Sequence, residues 1–329
     1  MSAILGHDSQ FDAMRAAIDS GRMHHAWLLY GPKGVGKGSF AQIVAARLLA
    51  EASATPLADT GFALDENHST RRLIAAGSHP DLVTLARLEN EKTGNLARNI
   101  MVDQVRALKG VFSGTPSQGD RRVVVVDAID DMERGAANAL LKSLEEPPAS
   151  TTFLLVSHAP GRLLPTIRSR CRSLAFARLS DDVMAAVLAE HAPELDDMTR
   201  AVVIAVAGGA PGAALSVIEA DVPGIDAALR EIATTGDPYN VLRLDLAGKL
   251  ALKAALPRYE AFLRRAPAFI ASQARSRSGA ALATAVEAWE KARQLADVAI
   301  PQSLPAESVV FEIAGRVAAL APRDASAKA

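Results

Sequence analysis

The amino-acid sequence predicts an α/β fold built on a parallel five-stranded sheet, followed by a second part made of helices alone. A glycine-rich stretch at residues 31–38 follows an apolar run and precedes an amphipathic one, which is the context of a phosphate-binding loop between a strand and a helix. Residues 123–126 are all valine, as expected of a parallel strand buried on both faces. After Ala177 the strand signal disappears. Together these features predict a three-layer domain and a helical remainder.

Strands and helices alternate through the first part of the chain. The five strands are expected at residues 26–30, 82–85, 121–127, 152–156 and 173–176. Apolar residues recur at helical spacing within residues 8–20, 40–48, 100–112 and 133–146. Pro147 and Pro148 end the last of these helices. Residues 51–72 show little periodicity, so we expect an insertion or loop there, with some helix at most, whose role the sequence does not indicate.

Helices alone are expected beyond the fifth strand. Two short amphipathic helices, at residues 181–192 and 198–206, precede a break at residues 208–212. Further on, Asp237 is expected to be a helix N-cap with Pro238 at the first helical position. We therefore divide the chain into an α/β domain, a small helical lid and an all-helical third domain, at residues 1–177, 178–222 and 223–329.

The glycine-rich stretch has the residue types that bind phosphate. Its glycines let backbone N–H groups turn inward around a polyphosphate, and Lys37 can reach the terminal phosphates. The eighth residue is Gly38, which lacks the hydroxyl that usually holds Mg²⁺, and Ser39 lies one position too late to replace it. The candidate phosphate-binding residues are Gly31, Pro32, Lys33, Gly34, Val35, Gly36, Lys37 and Gly38.

A second part of a nucleotide site is predicted where the third strand ends. Asp127 stands at the carboxyl edge of that strand, where ligands bind in open α/β sheets. The next residue is Ala128, at the position where a glutamate normally polarises the attacking water. Because the Mg²⁺ hydroxyl and this carboxylate are both absent, we expect ATP or ADP to bind weakly, if at all, and hydrolysis to be negligible.

Composition narrows the remaining function classes. The formal net charge is −1 and the isoelectric point about 6.7, so no overall basic footprint for nucleic acid exists. One cysteine, Cys171, excludes an internal disulfide and a thiolate zinc cluster, and so no zinc is expected. Neither an export signal nor an apolar run of about 18 residues is present. A cytoplasmic protein is expected.

Four motifs together resemble the clamp-loader branch of the AAA+ family, which includes subunits of bacterial DNA polymerase III. They lie at residues 31–37, 79–82 (His-Pro-Asp-Leu), 138–148 and 169–171 (Ser-Arg-Cys). The resemblance implies a RecA-like domain, a helical lid and a collar domain that joins five subunits into a ring. The implied partners are ATPase motor subunits, a clamp-opening subunit, the sliding clamp and, through the complex, primed DNA.

The resemblance also assigns two site residues. Arg170 would be an arginine finger that contacts ATP bound by the neighbouring subunit, a role that suits a permanently charged, bidentate guanidinium. The alternative is that Arg170 pairs with an acidic residue of its own chain. Ser157 matches the position that senses the γ-phosphate, whereas Ala213 stands where the lid usually contributes an arginine.

Two functions are weighed on this basis, and a third, a nucleotide-dependent binding module unrelated to replication, is disfavoured by the motifs at residues 138–148 and 169–171. The first is a non-hydrolysing stator of the clamp loader that serves a neighbour's ATP through Arg170. The second is an active AAA+ ATPase, a motor subunit of the same or a related replication or repair complex, which Gly38 and Ala128 disfavour. In either function, residues 223–329 are expected to mediate oligomerisation. Part of their apolar surface should then be interfacial, the candidates being Trp289, Leu295, Val309, Val310 and Phe311.

Overall fold

The computed structural model describes residues 4–57, 59–89 and 96–322. Its contacts divide the chain into two compact units. Unit 1 comprises Met1–Pro193 and Gly208–Gly212, and unit 2 comprises Glu194–Ala207 and Ala213–Ala329. The division into three domains at residues 177 and 222 stays a prediction.

Unit 1 contains the parallel five-stranded sheet that the sequence predicts. Its strands run in the order β2-β3-β4-β1-β5, and every neighbouring pair is parallel. No strand end differs from the predicted one by more than one residue. The strands are β1 Ala26–Tyr30, β2 Leu82–Ala86, β3 Arg122–Asp127, β4 Thr151–Ser157 and β5 Arg172–Ala175. The three interior strands β3, β4 and β1 are buried along nearly their whole length, as strands covered on both faces must be.

Unit 1 also contains α-helices. They are α1 Asp8–Asp19, α2 Lys37–Ala52, α3 Ser69–Ala75, α4 Val102–Phe112, α5 Arg134–Glu145, α6 Pro165–Arg168 and α7 Asp181–His191. Helices α4 and α5 pack on the sheet face that carries Val124, Val126 and Phe153. Helix α2 contacts β1, β3 and β4. On edge strand β5, the guanidinium of Arg172 lies 4.8 Å from the ring centroid of the buried Trp27.

Asp81, of the His-Pro-Asp-Leu motif, holds the loop that leads into β3. Its side chain is 1% exposed. The carboxylate accepts hydrogen bonds from the backbone N–H of Ser117, at 2.8 and 2.9 Å, and of Gln118, at 2.7 Å. One residue therefore satisfies two backbone donors of a segment that makes no strand or helix. Asp81 of this motif thus stabilises the loop whether or not any ligand binds.

Unit 2 is entirely helical in the part that the structure describes. Its helices are α8 Asp197–Ala207, α9 Pro211–Glu219, α10 Val222–Thr235, α11 Val241–Leu250, α12 Leu256–Ala274, α13 Gly279–Ala299 and α14 Ala306–Ala318, with the first two residues of α9 belonging to unit 1. Phe262, Ile270 and Ile313 are among the fully buried residues of its core. No described helix is both long enough and apolar enough to span a membrane.

Two expectations about unit 2 are wrong. Asp237 is not the N-cap of a helix that starts at Pro238, because α11 begins at Val241. Asp237 caps α11 from a distance instead: its carboxylate accepts from the N–H groups of Leu242 and Arg243 at 3.1 and 3.0 Å. Val309 and Val310 are not interfacial, since they are buried in the core of the unit; Trp289, Leu295 and Phe311 are partly buried and pack against that core.

We predict that Asp81→Ala lowers the free energy of unfolding by about 2 kcal/mol, because the hydrogen bonds that the loop makes to a charged group contribute about 1.5–3 kcal/mol. The measurement is urea denaturation followed by circular dichroism. Asp120→Ala is the matched control, since Asp120 is an exposed aspartate of the same connection. An equal effect of the two substitutions would contradict the structural role of Asp81.

Candidate functional site

The phosphate-binding loop lies between β1 and α2, as predicted. Gly36 is the N-cap of α2 with φ of 102°, and Gly34 has φ of 82°, backbone angles that favour glycine strongly. The first N–H groups of a helix have no intrahelical acceptor, so this turn can hold an anion. All eight predicted residues, Gly31 to Gly38, fall in the loop and the first turn of α2.

Lys37 is bonded to the loop itself. Its side chain is 2% exposed, and its ammonium group donates to the carbonyl oxygens of Gly31 at 2.8 Å and Pro32 at 2.5 Å. Burial lowers the pKa of Lys37 to about 8, although the carboxylates of Asp127 and Asp130 oppose this shift. At pH 7 the group is therefore still mostly cationic. These bonds use two of the three N–H donors of the ammonium group, so a phosphate can accept from the third or replace one of the carbonyls.

Asp127 approaches the start of α2 closely. A Cβ atom added at Gly38 would lie 2.2 Å from Oδ2 of Asp127, so the carboxylate fills the space where the side chain of the eighth loop residue would begin. Burial raises the pKa of Asp127, while His158 and Lys37 act in the opposite direction. The loop amides and Lys37 fit a phosphate group. The usual Mg²⁺ arrangement does not fit, because the hydroxyl is missing and its place is taken.

Ser157 and Asp130 are bonded to each other. The Ser157 hydroxyl is fully buried and donates to Asp130 at 3.0 Å. The same carboxylate accepts from the backbone N–H groups of His158 at 2.5 Å and Ala159 at 3.1 Å. These bonds fix the turn after β4 and occupy Asp130, which lies two residues after Ala128 and could otherwise have served as a base. The γ-phosphate-sensing role of Ser157 stays a prediction.

His158 was not singled out from the sequence, yet it belongs to this site. Its Nδ1 atom is buried and has no hydrogen-bond partner among the residues that the structure describes. Burial lowers the pKa of His158, and the charge of Lys37 lowers it further. Its place directly after a predicted strand, at the ligand-binding edge of the sheet, was the signal that could have found it.

Arg170 makes the local ion pair that the sequence left open as an alternative. Its guanidinium lies 2.9 Å from the Glu145 carboxylate and donates to the carbonyl of Thr166 at 2.9 Å. The neighbouring Cys171 packs against the core of unit 1, and burial raises the pKa of its thiol to about 11. Cys171 is thus a packing residue, since a reactive thiol needs a low pKa.

These observations define the class of protein. A glycine loop after β1, an acidic residue at the end of β3 and strand order β2-β3-β4-β1-β5 make unit 1 a phosphate-loop α/β domain, which confirms the predicted fold class. A solved structure agrees at the level of the fold. The DNA polymerase III gamma subunit-related protein of Thermotoga maritima aligns with a TM-score of 0.50 at 16% identity, over 94% of this chain and 99% of that one.

The family follows from the sequence comparison. The family model described as DNA polymerase III, delta subunit matches residues 6–180, and the chain belongs to that family. It is 42% identical over 187 residues to DNA polymerase III subunit delta' of Pseudomonas aeruginosa, covering 57% of this chain and 53% of that protein. It is 32% identical over 211 residues to the delta' subunit of Escherichia coli, covering 64% and 59%. The matches thus span little more than half the length of these relatives.

We predict that Gly38→Ala destabilises the protein by about 1–3 kcal/mol, the usual cost of forcing atoms into filled space. Asp127 must rotate to admit the new Cβ atom, which would otherwise lie 2.2 Å from its carboxylate. In an Asp127→Ala background the same substitution should cost nothing. Urea denaturation of the wild type, both single variants and the double variant measures the coupling.

Gly110→Ala provides the control for helix propensity. Gly110 lies inside α4, and nothing lies within 4 Å of a Cβ atom added there. This variant should be more stable than the wild type by up to about 1 kcal/mol. Additive effects of Gly38→Ala and Asp127→Ala would show that the two residues do not compete for space.

Proposed function

We propose that this chain is a clamp-loader subunit of DNA polymerase III that does not turn over ATP itself and presents Arg170 to ATP bound on a neighbouring subunit. Its delta' relatives and its family support the first part of the proposal. The geometry around Gly38 and Asp127 supports the second, because Mg²⁺ has no hydroxyl ligand there. The position of Arg170 supports the third and carries the proposal.

Arg170 and the phosphate loop lie at opposite ends of the strands of the same sheet. In the register of β1 and β5, Arg172 lies beside Trp27, whereas the loop begins at Gly31, four residues further along β1. At about 3.3 Å per residue, Arg172 and Gly31 are therefore about 13 Å apart along the strand direction. Arg170 precedes Arg172, and its guanidinium is bonded to Glu145 at the end of α5. Arg170 is therefore in no position to serve the loop of its own chain.

The pair with Glu145 does not prevent the proposed role. The two side chains are 35% and 47% exposed. Ion pairs at such positions contribute about 0.2–1 kcal/mol, whereas guanidinium and phosphate form stronger bidentate bonds. Arg170 can thus exchange the carboxylate for phosphate oxygens at small cost. Glu145 would hold the side chain in place until a partner's phosphate arrives.

We predict that Arg170→Ala leaves folding and assembly nearly unchanged but lowers the DNA- and clamp-stimulated ATPase of the reconstituted complex. Arginine fingers supplied in trans contribute about 10³- to 10⁵-fold in well-studied GTPases. Because one site among several is affected, the bulk rate should fall only in part. Lys37→Ala should do far less, since it alters a site that does not turn over.

Arg168→Ala is the matched control, because Arg168 is an exposed arginine at the end of α6, two residues before Arg170. It should behave as the wild type, and so should Glu145→Gln, which only releases Arg170. ATP turnover by the isolated chain is measured alongside. Appreciable turnover by the isolated chain would contradict the stator function and favour the motor function. So would a larger loss of ATPase rate in the complex for Lys37→Ala than for Arg170→Ala.

We propose further that unit 2 contributes the contacts that assemble the ring. Five large apolar side chains within residues 239–256 are exposed, although the rest of α11 packs on α14. They are Tyr239, Val241, Leu244, Leu252 and Leu256. Large apolar side chains that stay exposed in a folded chain are candidates for an interaction site. These residues take the place of the valines that the sequence suggested.

We predict that Leu244→Glu weakens association with the other subunits by about tenfold or more, since a charge buried without a partner in an interface costs several kcal/mol. The thermal midpoint of the isolated chain should stay the same, because Leu244 is already exposed. Leu282→Glu makes the same change at an exposed position on α13 and serves as control. Analytical gel filtration of mixed subunits measures both, and equal assembly by the two variants would contradict the proposal.

A further inference from the structure

The carbonyl groups of the phosphate-binding loop are bonded to the protein's own donors. Lys37 donates to Gly31 and Pro32, as described above, and these two bonds lie within the loop. Two further bonds come from residues far away in the sequence. The carbonyl of Gly34 accepts from the backbone N–H of Gly212 at 2.8 Å, and that of Val35 faces Nε2 of His7 at 2.7 Å.

His7 contacts the loop from the start of α1. Its side chain is buried, and its ring meets the ring of Phe176 edge to face, with centroids 4.9 Å apart. Because a carbonyl oxygen can only accept, Nε2 of His7 must carry the proton of this bond. The imidazole is thus fixed by an aromatic neighbour on one side and by the loop on the other.

The second contact comes from a short segment between α8 and α9, residues 208–212, which we call the strap. Gly212 is the second residue of α9, so its N–H has no acceptor within that helix and Gly34 supplies one. A Cβ atom at residue 212 would lie 3.1 Å from the Cα of Gly34, so only glycine fits without a shift. The strap is seated by a bond of 2.9 Å from the N–H of Leu179 to the carbonyl of Gly209.

The strap and the loop belong to the same compact unit. Gly208–Gly212 clusters with the sheet of unit 1, although α8 before it and most of α9 after it belong to unit 2. A second bond, from the guanidinium of Arg178 to the carbonyl of Gly208 at 2.5 Å, attaches the strap to the segment after β5. The strap is therefore held to unit 1 at Gly208 and Gly209 as well as through the contact with Gly34.

We propose that His7 and the strap are positioning groups that hold the phosphate-binding loop in its folded shape without a nucleotide. In this arrangement the loop is a structural element supported at Gly34 and Val35 from outside. The inference goes beyond the proposed function and does not depend on it. Its test uses the isolated full chain and no ATP turnover, so the outcome is independent of what Arg170 does.

Limited trypsin digestion tests the proposal at the loop itself. Lys33 is exposed, so only the folded shape of the loop protects the Lys33–Gly34 bond. Cleavage of a transiently opened segment follows the population of the open form. Removing one hydrogen bond should raise that population about two- to tenfold. We therefore expect the fragment that begins at Gly34 to appear about two- to tenfold faster from Gly212→Val and from His7→Phe.

Three further proteins complete the experiment. Gly161→Ala is the control, since a Cβ atom there meets nothing within 4 Å, and it should be cleaved as the wild type is. His7→Gln, which can still donate, should be cleaved more slowly than His7→Phe. If Gly212→Val accelerates cleavage at every site, global unfolding is the cause. Gly212→Ala, which demands only a small shift, then takes its place and should accelerate Lys33–Gly34 alone.

Two results would overturn the proposal. One is that both contacts can be removed without a change in cleavage at Lys33–Gly34 relative to the other sites. The other is that saturating ATP protects this bond in the wild type by more than about tenfold, because a nucleotide would then be needed to shape the loop.

Discussion

The space between the end of β3 and the first turn of α2 is the constraint on which the site depends. Oδ2 of Asp127 comes within 2.2 Å of where a Cβ atom of residue 38 would stand, so these positions cannot carry a carboxylate and a larger side chain in their present conformations. Any side chain at position 38 would require the Asp127 carboxylate to rotate away from the start of α2. The loop keeps Lys37 and its amides, while position 38 has no hydroxyl to offer a metal ion.

The sheet separates the phosphate loop from Arg170 in space. Its carboxyl edge holds the phosphate loop with Asp127, and its opposite edge holds Arg170 with Glu145. Parallel strands make this separation unavoidable, since every strand begins at one edge and ends at the other. A residue that precedes β5 can therefore face a neighbouring subunit while the loop after β1 stays an internal element. The same topology would let one subunit lose its own site and still serve another.

The sequence predicted what local patterns determine. The five strands, the loop and the helix stopped by Pro147 follow from apolar runs, glycine spacing and proline chemistry. Contacts between distant segments have no such local pattern. The hydrogen bonds of His7 to Val35 and of Gly212 to Gly34 join residues that no sequence periodicity relates. Val309 and Val310 were misjudged because an apolar helix residue looks the same in a core as in an interface. Asp237 was misplaced because its carboxylate reaches α11 from outside the helix.

Each compact unit contains one of the two tryptophans. Trp27 is buried in β1 beneath Arg172, and Trp289 packs on the core of unit 2. Their indole emission therefore originates in separate environments, and in each of them an arginine guanidinium lies over the ring, Arg172 at Trp27 and Arg293 at Trp289. With either tryptophan replaced by phenylalanine, fluorescence would follow the loss of structure around the remaining one. The chain thus has a built-in optical probe for asking whether its halves melt together or in succession.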